Sequence, residues 1–204
     1  MSYSQAAPPH ERPSPDPDTG RRRSGPAAKR PGTVLALLLA AIGSAISALI
    51  GAILVFSGGN GLAETNVNDV IKQHPDALGL PAGTTADDIK QMAGPLWQEM
   101  IDDRAGTLSV RAGFAAFVAV CMLLSALFAR KGAGWARVLI TVWGLVGLIP
   151  HLLVATDYEP ASVTALSWIA LVGGVAAVVL CWMPGVRRFG KDAKAAKAAR
   201  AAAS

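Results

Sequence analysis

Four long runs of apolar residues, separated by polar segments, dominate the hydrophobic pattern of the chain. The runs are Thr33–Phe56, Leu108–Ala129, Trp135–Ala155 and Ser162–Met183, with 24, 22, 21 and 22 residues. A bilayer core of about 30 Å is crossed by about 20 apolar residues in a helix rising about 1.5 Å per residue. The pattern therefore predicts an all-α membrane protein: a four-helix transmembrane bundle with a short helical extracellular loop and disordered termini.

The polar segments divide the chain into three regions. Residues 1–32 form a first tail, residues 33–183 contain the four spans, and residues 184–204 form a second tail. Within the membrane region only the loop of residues 57–107, called the cap below, is long enough to carry a fold of its own. Since its 51 residues are near the lower limit for independent stability, we expect one domain.

Apolar positions in the cap recur at helical spacing. They predict a short helix over Asn66–Gln73, ended by Pro75 because the residue before proline avoids helical geometry. Thr85 with Asp88 three residues later forms a capping box that opens a second helix. Gly94-Pro95 interrupts that helix, and a third helix is predicted from Leu96 into the second span. We expect the apolar faces of these helices to pack on the bundle; a partner protein or the membrane interface is the alternative.

The two tails differ in composition. Residues 1–32 are rich in proline and contain one aromatic residue, so they are predicted to be disordered, and their prolines also allow a polyproline ligand. Residues 191–204 are rich in alanine, with Lys or Arg at every third position as far as Arg200. That pattern predicts a frayed helix on the anionic lipid of the inner leaflet or, as an alternative, a plain solubilising tail.

The basic residues predict the orientation in the membrane. Six Lys or Arg precede the first span, two lie between the second and third spans with Arg137 just inside the third, and six follow the fourth span. The cap has three basic and eight acidic residues. The positive-inside rule then places both termini in the cytoplasm and the cap outside a cell membrane. The net charge of +5 therefore indicates lipid and not nucleic acid as the partner.

A cleaved signal peptide is the alternative interpretation of the first span. The basic stretch of residues 21–29 resembles the start of a signal peptide, and Gly61-Leu62-Ala63 resembles a cleavage site. The apolar run is longer than the roughly 7–15 residues of a signal peptide. We therefore expect the run to be retained; cleavage would leave three spans and an external N-terminus.

Small residues at four-residue spacing predict how the spans pack, because helices in lipid associate through close backbone approach. The repeats in the first and fourth spans are Gly43, Ser47, Gly51, Gly173 and Ala177, and a second ridge in the first span is Ala40, Ser44, Ala48 and Ala52. They predict contact between the first and fourth spans, with homodimerisation as the alternative. Cys121 and Cys181 are interpreted as small packing residues without a disulfide.

Four polar residues near the predicted outer ends of the spans form a candidate cluster: Arg111, His151, Asp157 and Glu159. They suggest a vestibule that binds an anion or moves a proton. The simpler interpretation is snorkelling and local ion pairing at the interface. We favour the simpler interpretation and expect Arg111 and His151 to point towards the lipid headgroups.

Motifs of enzymes are missing from the sequence. It contains no CxxC pair, no GxSxG, no phosphate-binding loop and no His/Glu metal spacing. No span has an ionisable residue at its centre, where one would indicate a transporter. We therefore predict no catalytic, cofactor or metal site and no enzymatic activity.

Three short motifs carry a resemblance: the basic turn Lys131–Leu139, the junction Arg30–Val34 and the end Cys181–Pro184. With them the chain resembles small four-span membrane proteins of high-GC Gram-positive, actinobacterial type. The resemblance implies a cell-membrane location and no particular activity. The layout is also similar to claudins and tetraspanins, but their cysteine-based loop signatures are missing.

Together these observations predict a non-catalytic integral membrane protein. Its role is expected to be that of a structural, assembly or envelope-associated partner, in contact with the bilayer and with another protein or a second copy of itself. The alternative is a small transporter or channel subunit that uses the candidate cluster.

Overall fold

The computed structural model describes residues 31–81, 83–131 and 133–202, and in these residues it contains helices and no β-strand. The helices are α1 (Gly32–Gln73), a 3-10 helix (Pro75–Leu78), α2 (Ala86–Ala93), α3 (Pro95–Ala129), α4 (Gly134–Thr156), α5 (Ala161–Cys181) and α6 (Pro184–Ala201). Four of them, α1, α3, α4 and α5, are long and apolar enough to cross a membrane. The all-α class and the four spans are confirmed. The disorder predicted for the N-terminal tail concerns residues that, up to residue 30, lie outside the described part.

The four long helices form a bundle in which α1 and α4 lie diagonally opposite, because each contacts both α3 and α5. The lengths of α4 and α5, 23 and 21 residues, match a bilayer core of about 30 Å. The 42 residues of α1 and the 35 residues of α3 exceed this length. Their extra turns, together with α2 and the 3-10 helix, build the cap.

The cap begins at a kink in α1. Gly59 has φ 48° and ψ −135° inside the helix, a conformation that is costly for any residue with a Cβ. The predicted separate helix Asn66–Gln73 is instead the last part of α1, continuous with the span except at this kink. The hydrophobic pattern missed the continuity because the polar residues around Gly59 interrupt the apolar run.

Local signals define the other helices of the cap as predicted. The Asp88 backbone N–H donates to Thr85 Oγ1 at 3.2 Å, and the Thr85 backbone N–H donates to Asp88 Oδ2 at 2.9 Å. These hydrogen bonds with Thr85 hold the pKa of Asp88 below its usual value. Gly94, with φ 54°, separates α2 from α3, which continues through Gly106 into the membrane span.

The cap packs on the bundle through one side of α3. Trp97 and Ile101 are buried, and they join a core that includes Val55 and Leu108 of the spans. Leu96 and Met100, on the adjoining face of the same helix, are exposed. The predicted packing of the cap on the bundle is therefore present for half of the apolar positions of this segment.

The far end of the bundle is closed by α6. This helix starts at Pro184, and Val186 is buried with Val34 of α1 and Ala129 of α3. The C-terminal segment is therefore helical from Pro184 to Ala201 and not disordered, as the frayed-helix interpretation predicts. The start lies seven residues before Lys191 because proline is well tolerated in the first turn of a helix.

Candidate functional site

Arg111 on α3 is the centre of an ion-pair network at the cap end of the bundle. Its Nη1 donates to Asp157 Oδ2 at 2.6 Å and to Glu159 Oε1 at 2.8 Å. Both carboxylates belong to the short loop between α4 and α5. Three of the four residues of the candidate cluster therefore meet, and they fasten this loop to α3.

Arg104, one of the three basic residues of the cap, completes the network, a role that the sequence did not predict. Its Nη1 donates to Asp157 Oδ2 at 3.0 Å and its Nε donates to Asn66 Oδ1 at 2.9 Å. Arg104 and Arg111 are seven residues apart, which puts them on one face of α3. That spacing is the signal that could have identified Arg104 beforehand.

The buried amide of Asn66 extends the network to α1. Its Nδ2 donates to the backbone oxygen of Tyr158 at 2.7 Å, and Arg104 Nη2 donates to the same oxygen at 3.1 Å. The network thus joins α1, α3 and the α4–α5 loop. No feature of the local sequence distinguishes Asn66 from the other polar residues of the cap.

The charges within the network cancel, because two arginines face two carboxylates. The side chain of Glu159 is only 2% exposed, whereas that of Asp157 is 31% exposed. Burial alone would raise the pKa of Asp157, but hydrogen bonds from Arg111 and Arg104 outweigh burial and lower it. The network is thus a neutral, mutually satisfied set of groups.

His151 does not join the ion pairs and does not point towards the headgroups. It is buried on α4 and lines two small cavities, of about 30 and about 20 Å³. The larger one is also lined by Arg111 and Glu159, and the smaller one by Ser44 and Trp143. The expected orientation is wrong for His151 because the small residues of α1 leave room for the imidazole inside the bundle.

The small residues of α1 meet α5, although they contribute unequally. Ser44 Oγ donates to the backbone oxygen of Ala170 at 2.6 Å, and a Cβ built on Gly173 would lie 3.0 Å from Ser44 Cβ. Gly51 approaches α5 at Leu166, while Ser47 and Ala177 are buried. Gly43 is exposed, and a Cβ built there would have no atom of another helix within 4 Å. The contact therefore depends on the second ridge as well as on the first.

A larger cavity, which no sequence pattern predicts, lies in the cap. Its volume is about 380 Å³, within the range of about 300–1,000 Å³ that is usual for ligand pockets. It is enclosed by α1, the 3-10 helix, α2, α3 and the α4–α5 loop. Seven apolar and four polar residues line it: Val67, Val70, Ile71, Leu78, Leu80, Ile89 and Met100, with Asn66, Arg104, Asp157 and Tyr158.

Within the described part of the chain, no group of three or more His, Cys, Asp or Glu side chains is arranged to hold a metal ion. Comparisons with protein-family models, with curated proteins and with solved structures find no match to this chain.

Proposed function

We propose that this multi-pass protein is a non-catalytic membrane partner, with a structural, assembly or envelope-associated role, whose bundle holds the cap in a fixed position. The observation that carries the proposal is the network of Arg104, Arg111, Asp157 and Glu159. Its four charged groups satisfy one another and connect three segments of the chain. Such a network favours rigid support over binding of a free ion.

The proposed setting is the cell membrane, with both termini in the cytoplasm and the cap outside. The positive-inside rule supports this orientation, and so does the position of α6, whose basic residues lie at the end of the bundle opposite the cap. The resemblance to actinobacterial four-span proteins stays a prediction that agrees with it. Labelling of an Asp16→Cys variant by an impermeant thiol reagent in intact cells would contradict this orientation.

In vivo crosslinking of the full-length chain, followed by affinity purification, tests the proposed role. We expect recovery of one specific protein, or of a second copy of this chain, at a level above that of an unrelated four-span protein expressed equally. Substitution of cap residues should abolish the crosslink, while substitution of exposed α6 residues should not. Failure to recover any specific partner would contradict the proposal.

A small transporter or channel subunit is the second candidate. It is favoured by one observation: Arg111, His151 and Glu159 line a common cavity, and His151 also lines the next cavity towards the middle of the bundle. At about 30 and 20 Å³, these spaces fit about one water molecule each. A pH-dependent flux in proteoliposomes that disappears in His151→Ala would support this candidate, and a flux equal to that of empty liposomes would contradict it.

A further inference from the structure

The cavity of the cap is apolar inside, and its polar groups are already occupied. Arg104 donates to Asn66, Asp157 and the backbone of Tyr158, and Asn66 also donates to that backbone. An occupant of the cavity would therefore find apolar walls and no free charge. The part of a ligand that enters the cavity must be apolar, because an inserted charge would lose its hydration without a partner.

The apolar surface continues beyond the cavity along two helices. Leu96 lies one turn before Met100 on α3, and Met92 lies about one turn after Ile89 on α2. Leu96 is 65% exposed and Met92 is 75% exposed. This surface extends further than the opening of the cavity, which indicates an occupant larger than a single small molecule.

The rim of this apolar surface is acidic. Asp76 lies two residues before Leu78, and on α3 Glu99 and Asp103 each follow an apolar residue of the surface, Leu96 and Met100, by three positions, which puts them beside it. These three carboxylates are exposed, and none of them is ion-paired with a basic group of the described residues. The surface is therefore complementary to an apolar segment that carries positive charges at its edges.

We infer that the cavity of the cap, with its acidic rim, is the docking site for a partner polypeptide that inserts large apolar side chains flanked by Lys or Arg. The inference rests on the proposed function, because it names the surface and the chemistry by which a partner would be recognised. The apolar side chains of such a partner would fill the cavity, and its Lys or Arg residues would face the acidic rim. An uncharged lipid chain would match the apolar cavity but not the acidic rim.

The test uses the full chain in nanodiscs of zwitterionic lipid and a fluorescent peptide with the sequence Lys-Lys-Leu-Trp-Leu-Lys-Lys. We expect saturable binding, measured by anisotropy after subtraction of empty nanodiscs, that weakens as salt increases. Met100→Asp should weaken binding at least about tenfold, because it places a carboxylate on the apolar wall. Glu99→Gln/Asp103→Asn, which leaves the core untouched, should weaken binding about three- to tenfold and reduce the salt dependence.

Two controls give results that would overturn the inference. Asp192→Asn on α6 removes an acidic charge far from the cap, so an effect equal to that of the rim variant would show nonspecific attraction. A peptide with Gln in place of Lys that binds equally well would show an apolar ligand site without charge recognition.

If crosslinking recovers a specific partner whose capture is unaffected by Met100→Asp and by the rim variant, the proposed function stands and this docking site is wrong. If the peptide binds as expected but crosslinking recovers no partner, the surface chemistry stands and the proposed function is wrong.

Discussion

Replacement of Arg111 by Met tests whether the ion-pair network holds the cap end together. The variant keeps a long apolar side chain on α3 but removes the cation bound to Glu159 at 2.8 Å. Because the Glu159 side chain is 2% exposed, its charge would remain buried and unpaired. Asp157 would keep its bond to Arg104.

The expected loss of unfolding free energy follows from the burial of the two carboxylates. Removal of one partner of a buried pair costs about 3–5 kcal/mol, and the 25% exposure of Arg111 favours the lower end, about 3 kcal/mol. Arg104→Met is the matched control, because Asp157 is partly exposed and keeps Arg111. We expect that variant to cost about 1–2 kcal/mol, since it also leaves Asn66 Oδ1 without its donor at 2.9 Å. The double variant Arg111→Met/Glu159→Gln should recover at least half of the loss, to within about 1.5 kcal/mol of the natural chain.

Equilibrium unfolding in mixed detergent and SDS micelles, followed by circular dichroism, measures these differences as a double-mutant cycle. A coupling of at least about 1.5 kcal/mol between Arg111 and Glu159 is expected. Equal costs for Arg111→Met and Arg104→Met would refute the reasoning. So would a double variant that is no more stable than Arg111→Met, because the buried charge would then not be the source of the loss.

Three further predictions use the same unfolding assay. Gly59→Ala should cost about 1–3 kcal/mol because its φ of 48° strains any Cβ, whereas Gly61→Ala, with open space around it, should be neutral or slightly stabilising; equal effects would contradict the kink. Gly173→Leu should cost about 1–3 kcal/mol because a Cβ there already lies 3.0 Å from α1, whereas Gly43→Leu should change stability by less than about 0.5 kcal/mol; the reverse order would contradict the α1–α5 contact. The lowered pKa of Asp157 implies that its stabilisation is complete above about pH 5 and is lost as the pH falls below about 4 through the folded-state pKa; an unchanged acid dependence in Asp157→Asn would contradict this.

The sequence by itself determined the elements that depend on local chemistry. Four apolar runs define four spans because the thickness of the bilayer core sets their length, and because its lack of water requires every backbone hydrogen bond to be made within the helix. The Thr85–Asp88 capping box and the break at Gly94 likewise follow from neighbouring residues. Arg111, Asp157 and Glu159 could be proposed as neighbours, because charged groups near the ends of adjacent spans are brought together by the topology.

Tertiary structure decided the properties that depend on which helix faces meet. Whether His151 faces lipid or the bundle depends on the space left by α1, a helix about 100 residues away in sequence, and no local pattern contains that information. Whether Arg104 joins the ion-pair network depends on how far α3 continues beyond the membrane beside α1. The cavity of the cap needs five segments to enclose it. Apolar periodicity predicts that a helix face is either buried or available for binding. Only the packing of α2 and α3 decides that Trp97 and Ile101 are buried while Leu96 and Met100 stay exposed.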